Sequence, residues 1–80
     1  MMDLAALDQE LLRAHAEGDK PALVRLYALA GGEREAANDI EAACFYLTHA
    51  FVFALEAGAP EADNLNRRLH RYGRAHRLTF

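Results

Sequence analysis

The sequence predicts an all-α chain, and three observations carry that prediction. Apolar residues recur at spacings of three and four through most of the 80 residues. Glycine, aspartate and proline gather at two short breaks, Gly18-Asp19-Lys20-Pro21 and Gly58-Ala59-Pro60-Glu61, where one helix can stop and the next begin. The composition is 52% hydrophobic, much of it alanine, the strongest helix former, with only two prolines. The expected architecture is an antiparallel four-helix array of helix-turn-helix units with one long central helix, over residues 1–73. Residues 74–80 are expected to form a flexible basic tail.

The first segment, Asp3 to Glu17, places Leu4, Leu7, Leu11, Ala14 and His15 on one face. Asp3 suits the N-cap and Gly18 the position just past the end. Asp19 can cap the second helix while Pro21 falls in its first turn, where a missing N–H costs nothing. Leu23, Leu26, Tyr27 and Ala30 line one face of that helix, and Gly31-Gly32 is expected to end it. Glu33 to Asn38 is either loop or the opening turn of the next helix.

From Ile40 the periodicity is clear. Ile40, Ala43, Cys44, Leu47, Ala50, Phe51, Ala54 and Leu55 form one stripe, and Tyr46, Ala50, Phe53 and Ala57 a second beside it. A helix apolar on two stripes packs against two neighbours, so this one belongs in the middle. Ala62, Leu65, Leu69 and Tyr72 mark the fourth helix, closed by Gly73.

Gly18-x-x-x-Ala22 recurs as Gly58-x-x-x-Ala62, an offset typical of helical arrays. With Leu23-Val-Arg-Leu26-Tyr27, a loop holding Gly31 and Asp39, and Ala50-Phe-Val-Phe53-Ala-Leu-Glu-Ala57-Gly58, residues 18–72 resemble the Sel-one-like branch of the tetratricopeptide repeats. The third helix is about one turn longer than that pattern. The resemblance implies paired helices stacked as a protein-binding scaffold, with pattern positions that serve packing. About two repeats are present, so the helices would close as a bundle, pair as a homodimer or leave an apolar face for a partner.

Constellations for chemistry are missing. The sequence has no serine, and its two threonines are Thr48 and Thr79, so a hydroxyl nucleophile is nearly excluded. Gly31-Gly32 lacks the Gly-Lys-Ser/Thr continuation of a phosphate loop. Cys44 and His49 are not on one helix face, and His15, His70 and His76 lack metal-ligand spacing. No enzyme activity, cofactor or metal is expected. Cys44 is alone, and the N-terminus shows neither a basic region nor a sustained apolar one. No apolar run approaches the ~20 residues of a membrane span. These features predict a cytoplasmic protein without a membrane partner.

The expected function is protein–protein interaction, with a partner helix or peptide lying in a groove between the second and third helices. Tyr27, Phe45, Tyr46 and Phe53 would anchor it, and Glu33 and Glu41, with Glu35, would tune its rim. Charge offers an alternative. Residues 1–66 hold all twelve acids and four basic residues, whereas residues 67–80 hold five arginines and no acid. Arg67, Arg68, Arg71, Arg74 and Arg77 could contact nucleic acid, pair with the acidic body or face the negative end of a helix dipole. A self-associating homodimer is the third option.

Overall fold

The computed structural model describes residues 4–78, and these form four helices with no strand among them: α1 Leu4–Glu17, α2 Lys20–Ala36, α3 Ile40–Ala57 and α4 Glu61–Arg71. The Asp3 cap expected for α1 lies outside the described residues. Starts and stops follow local backbone chemistry. The carboxylates of Asp19 and Asp39 accept from the third-position amides of their helices, Ala22 at 3.2 Å and Ala42 at 3.3 Å. Pro60 starts α4 without a side-chain cap.

All four helices stop by the same device. Gly18, Asn38, Gly58 and Gly73 take left-handed φ of 64°, 60°, 63° and 72°. Each is followed by an amide that reaches back to the fourth-last carbonyl of the turn, as Asp19 does to Ala14 at 3.0 Å and Asp39 to Arg34 at 2.9 Å. This Schellman geometry satisfies carbonyls the helix would otherwise leave open.

The stop for α2 is therefore Asn38, not Gly31-Gly32, and α2 runs a further turn through Ala36. Gly31 is buried inside the helix. A Cβ built on it would lie 2.7 Å from Leu47 Cδ2 and 3.4 Å from the Ala43 carbonyl oxygen. Its lack of a side chain lets α2 and α3 approach closely, so it marks a contact and not an end.

Each helix packs chiefly against its neighbours in sequence. One apolar cluster joins α2, α3 and α4 through Val24, Cys44, Leu47, Ala50, Phe51, Ala54, Ala62, Leu65 and Leu69. A second joins α1 to α2 through Leu7, Ala14, Leu23, Leu26 and Ala30, and Tyr27 and Phe53 pack against both. The Cα extents are 32 × 29 × 14 Å. The thin dimension equals one helix–helix spacing of about 8–10 Å plus a Cα cylinder about 4.6 Å wide, so the helices stagger in two layers.

By length and composition alone α3, with 18 residues and a mean hydropathy of 1.3, is long and apolar enough to cross a membrane. It comes closer to a span than the sequence reading allows. The central helix of a folded core passes the same test, and Ala43, Leu47, Ala50 and Ala54 of α3 are each 0% exposed here.

The basic segment after α4 lies along the helix through Leu78. Asn66 sits on the apolar face of α4 and is fully buried. Its amide donates to the His76 carbonyl at 2.8 Å, and its carbonyl accepts from Arg77 and from the Leu78 amide at 2.8 Å. A buried polar side chain needs partners, and the segment expected to be loose supplies them.

Candidate protein-binding face

The groove expected between α2 and α3 is filled. Leu47, 0% exposed, packs onto Gly31, and Ala43, Ala50 and Ala54 keep that seam narrow. The aromatic residues instead gather where α1, α2 and α3 meet.

Tyr27 is the hub of that gathering. Its ring stacks on His49 at 5.0 Å and on Phe53 at 5.9 Å, and lies tilted beside Tyr46 at 6.4 Å. Its hydroxyl is 2.8 Å from His15 Nε2 of α1, and burial with the neighbouring Tyr46 raises its pKa. His15 meets Phe53 edge to face at 5.8 Å. Phe45 closes the far side, edge to face with Tyr46 at 5.4 Å and with His49 at 4.7 Å. Six rings thus form one continuous set, since offset and edge contacts at these spacings are attractive. The sequence places His15 on the apolar face of α1, whereas His49 entered only through a spacing that speaks against metal binding.

Of the predicted anchors, Tyr27, Tyr46 and Phe53 are half-buried within this set, and Phe45 stays 60% exposed. Phe45 also begins an outward stripe on α3. Val52 and Leu55 are each 45% exposed and follow it at helical spacing. Between them Thr48 donates its hydroxyl to the Cys44 carbonyl at 2.7 Å, so the stripe carries no unpaired hydroxyl. At its far end Leu55 borders a small pocket with Pro60 and Ala62 at the start of α4.

The predicted rim acids separate. Glu33 borders a small pocket beside Tyr46. Glu41 lies at the start of α3, paired with Arg74. Glu35 faces α4, where it accepts from Arg68 and from the Tyr72 hydroxyl at 2.6 Å. Burial pushes the Glu35 pKa up, but the hydrogen bonds from Tyr72 and Arg68 outweigh it and hold the carboxyl below its ordinary value. Arg74 and Arg77 likewise lower Glu41 and Asp63.

Four of the five C-terminal arginines are consequently engaged with acids of this chain. Arg68 meets Glu35, Arg74 meets Glu41, and Arg67 and Arg77 both meet Asp63, at 3.7 and 2.7 Å. Among the described residues Arg71 makes no ion pair. The arginine run is therefore largely neutralised against α2, α3 and α4 rather than presented as a free basic edge.

A shallow open groove of about 890 Å³ runs along the other side of α2, lined by Pro21, Ala22, Val24, Ala28 and Leu29 with Arg25, Asp19 and Glu61. Among the described residues no three His, Cys, Asp or Glu side chains gather as a metal site. Cys44 is a buried free thiol, and burial raises its pKa, so it is held in the unreactive form. No protein-family model, curated protein or solved structure matches the chain.

Proposed function

We propose that the chain is a non-enzymatic protein-interaction module whose docking face is the ring set ending in Phe45, continued by Val52 and Leu55. The observation that carries this reading is the exposure of Phe45, 60% open beside the half-buried rings of Tyr27, Tyr46, His49 and Phe53. Aromatic anchors of this kind dominate interface energetics. The helices are read as an antiparallel succession of tetratricopeptide-like pairs. Support comes from the residue pairing, with Leu7 of early α1 beside Ala30 of late α2 and Lys20 of early α2 3.5 Å from Glu56 of late α3. A cytoplasmic setting accords with the reduced thiol of Cys44.

The experiment is capture of partners by the purified chain, comparing wild type with Phe45→Glu and Leu55→Glu. Both substitutions fall at exposed positions and should leave the melting temperature within a few degrees of wild type. A genuine partner is retained by wild type and lost by both variants. If every captured protein survives Phe45→Glu, the face is wrong. The nucleic-acid alternative through Arg67, Arg68, Arg71, Arg74 and Arg77 has less support once four of these are paired. A titration with single-stranded oligonucleotide at rising salt distinguishes it, because phosphate contacts weaken steeply with salt.

A further inference from the structure

At the junction of α1, α2 and α3, one ring away from Phe45, lies a pocket of about 110 Å³ lined by Leu7, Asp8, Leu11, Ala30, Glu33, Arg34 and Tyr46. Small-molecule sites run to about 300–1,000 Å³, so this volume suits a single side chain. We propose that the pocket holds one basic side chain, lysine or arginine, of the partner that docks on the Phe45 face.

The lining argues for that chemistry in layers. Leu7 and Ala30, 6% and 3% exposed, make an apolar floor with the half-buried Leu11. Such a floor accepts the methylene stem of a long side chain. Tyr46 supplies an aromatic wall, and a cation is drawn to an aromatic face. Asp8 and the half-buried Glu33 also line it, and neither makes an ion pair or side-chain hydrogen bond among the described residues. Arg34 also lines the pocket, but its guanidinium lies 3.9 Å from Asp39 at the end of α2.

Charge elsewhere sharpens the contrast. Glu35, Glu41 and Asp63 are already matched by the C-terminal arginines. Of the acids that make no ion pair among the described residues, Asp8 and Glu33 are the two that line this pocket and can meet a cation from outside. Continuity with the docking face comes through Tyr46, which is part of this wall and also meets Phe45 at 5.4 Å. The inference thus rests on the proposed docking face and adds the chemistry of its partner.

The test titrates the isotope-labelled full chain with two blocked amphipathic helical peptides. Each carries a phenylalanine one turn from a variable position that is either lysine or norleucine. The lysine peptide should bind about tenfold more tightly and shift resonances of Leu7, Leu11, Ala30 and Tyr46. The double variant Asp8→Asn, Glu33→Gln should remove that tenfold preference while resonances of Phe45 still respond. Equal binding of the two peptides, shifts confined to residues away from the pocket, or no binding overturns the pocket assignment. If both peptides shift Phe45 equally, the docking face stands and the pocket alone fails. If neither shifts Phe45, the face fails with it.

Discussion

Two seams of this small molecule are held by different forces. Between α2 and α3, Gly31 meets Leu47, and Ala43, Ala50 and Ala54 are wholly buried beside them. Small residues let the two longest helices approach until only apolar contact remains, and dispersion and water exclusion hold them. At the edge where α4 and the following segment meet the body, polar pairs take over: Glu35 with Arg68 and Tyr72, Glu41 with Arg74, Asp63 with Arg77, and Asn66 with the backbone of His76 and Leu78. The first seam should respond to volume and hardly to pH or salt. The second should respond to pH and hardly to volume. The core of an 80-residue chain is small, so the polar edge anchors a segment that apolar area alone would not hold.

The largest expected effect breaks the first seam. Gly31→Val must force Leu47 aside, and overpacking of this kind costs about 1–3 kcal/mol even after the gain in helix propensity. Its neighbour is the control. A Cβ on Gly32 would find nothing nearer than the Arg68 guanidinium at 3.9 Å, so Gly32→Ala should stabilise by about 0.5–1 kcal/mol. Urea unfolding of the two variants should give shifts of opposite sign. Equal shifts would mean that the seam is looser than Gly31 implies.

Next in size is the clamp. Asn66→Leu removes three hydrogen bonds while keeping the number and branching of side-chain heavy atoms, and should cost about 1–2 kcal/mol, since the freed groups of His76 and Leu78 are exposed enough to meet water. The distinguishing readout is local: amide exchange at Leu78 should rise well above that at Leu47. A uniform rise across the chain would show that the clamp belongs to the core.

The smallest effect is electrostatic. Glu35, Glu41 and Asp63 have folded pKa values below their ordinary ones, so the unfolded chain binds their protons first. Their contribution is therefore present above the ordinary carboxylate range and is lost as pH falls through the lowered folded values. Stability measured by denaturant should fall on acidification below about pH 4.5, and the fall should be blunted in Glu35→Gln. An unchanged acid profile in that variant would remove Glu35 from the account. Gly31→Val should keep the wild-type acid profile, which separates the two seams.

Much of the fold was legible before any contact was known. Asp19 and Asp39 start helices, and Gly18 and Gly58 stop them, through bonds to residues within five positions. The α3 periodicity placed that helix between two neighbours. The errors were all at long range. Gly31-Gly32 has the local look of a stop, and only Leu47, across the seam, explains why a glycine is needed in mid-helix. For the arginines the sequence leaves a nucleic-acid edge, pairing with the acidic body and a helix dipole all open, and Glu35 and Glu41, more than thirty positions away in sequence, stand beside Arg68 and Arg74. Asn66 left one signal that went unused: it shares the apolar face of α4 with Ala62, Leu65 and Leu69, where a polar residue must find partners. In the candidate site, Tyr27, Tyr46 and Phe53 share one ring set, which His15 and His49 join from two different helices.

By itself, then, the sequence determined the helical class, the starts of α2 and α4 and the apolar character of α3. These depend on backbone hydrogen bonds and side-chain spacing within a turn or two, which residue type controls directly. Tertiary structure alone decided how far α2 runs, which stripe of α3 faces outward with Phe45, and which charges remain unmatched. Those outcomes depend on what a distant segment brings to within a few ångströms, and the order of residues along one helix carries no record of that distance.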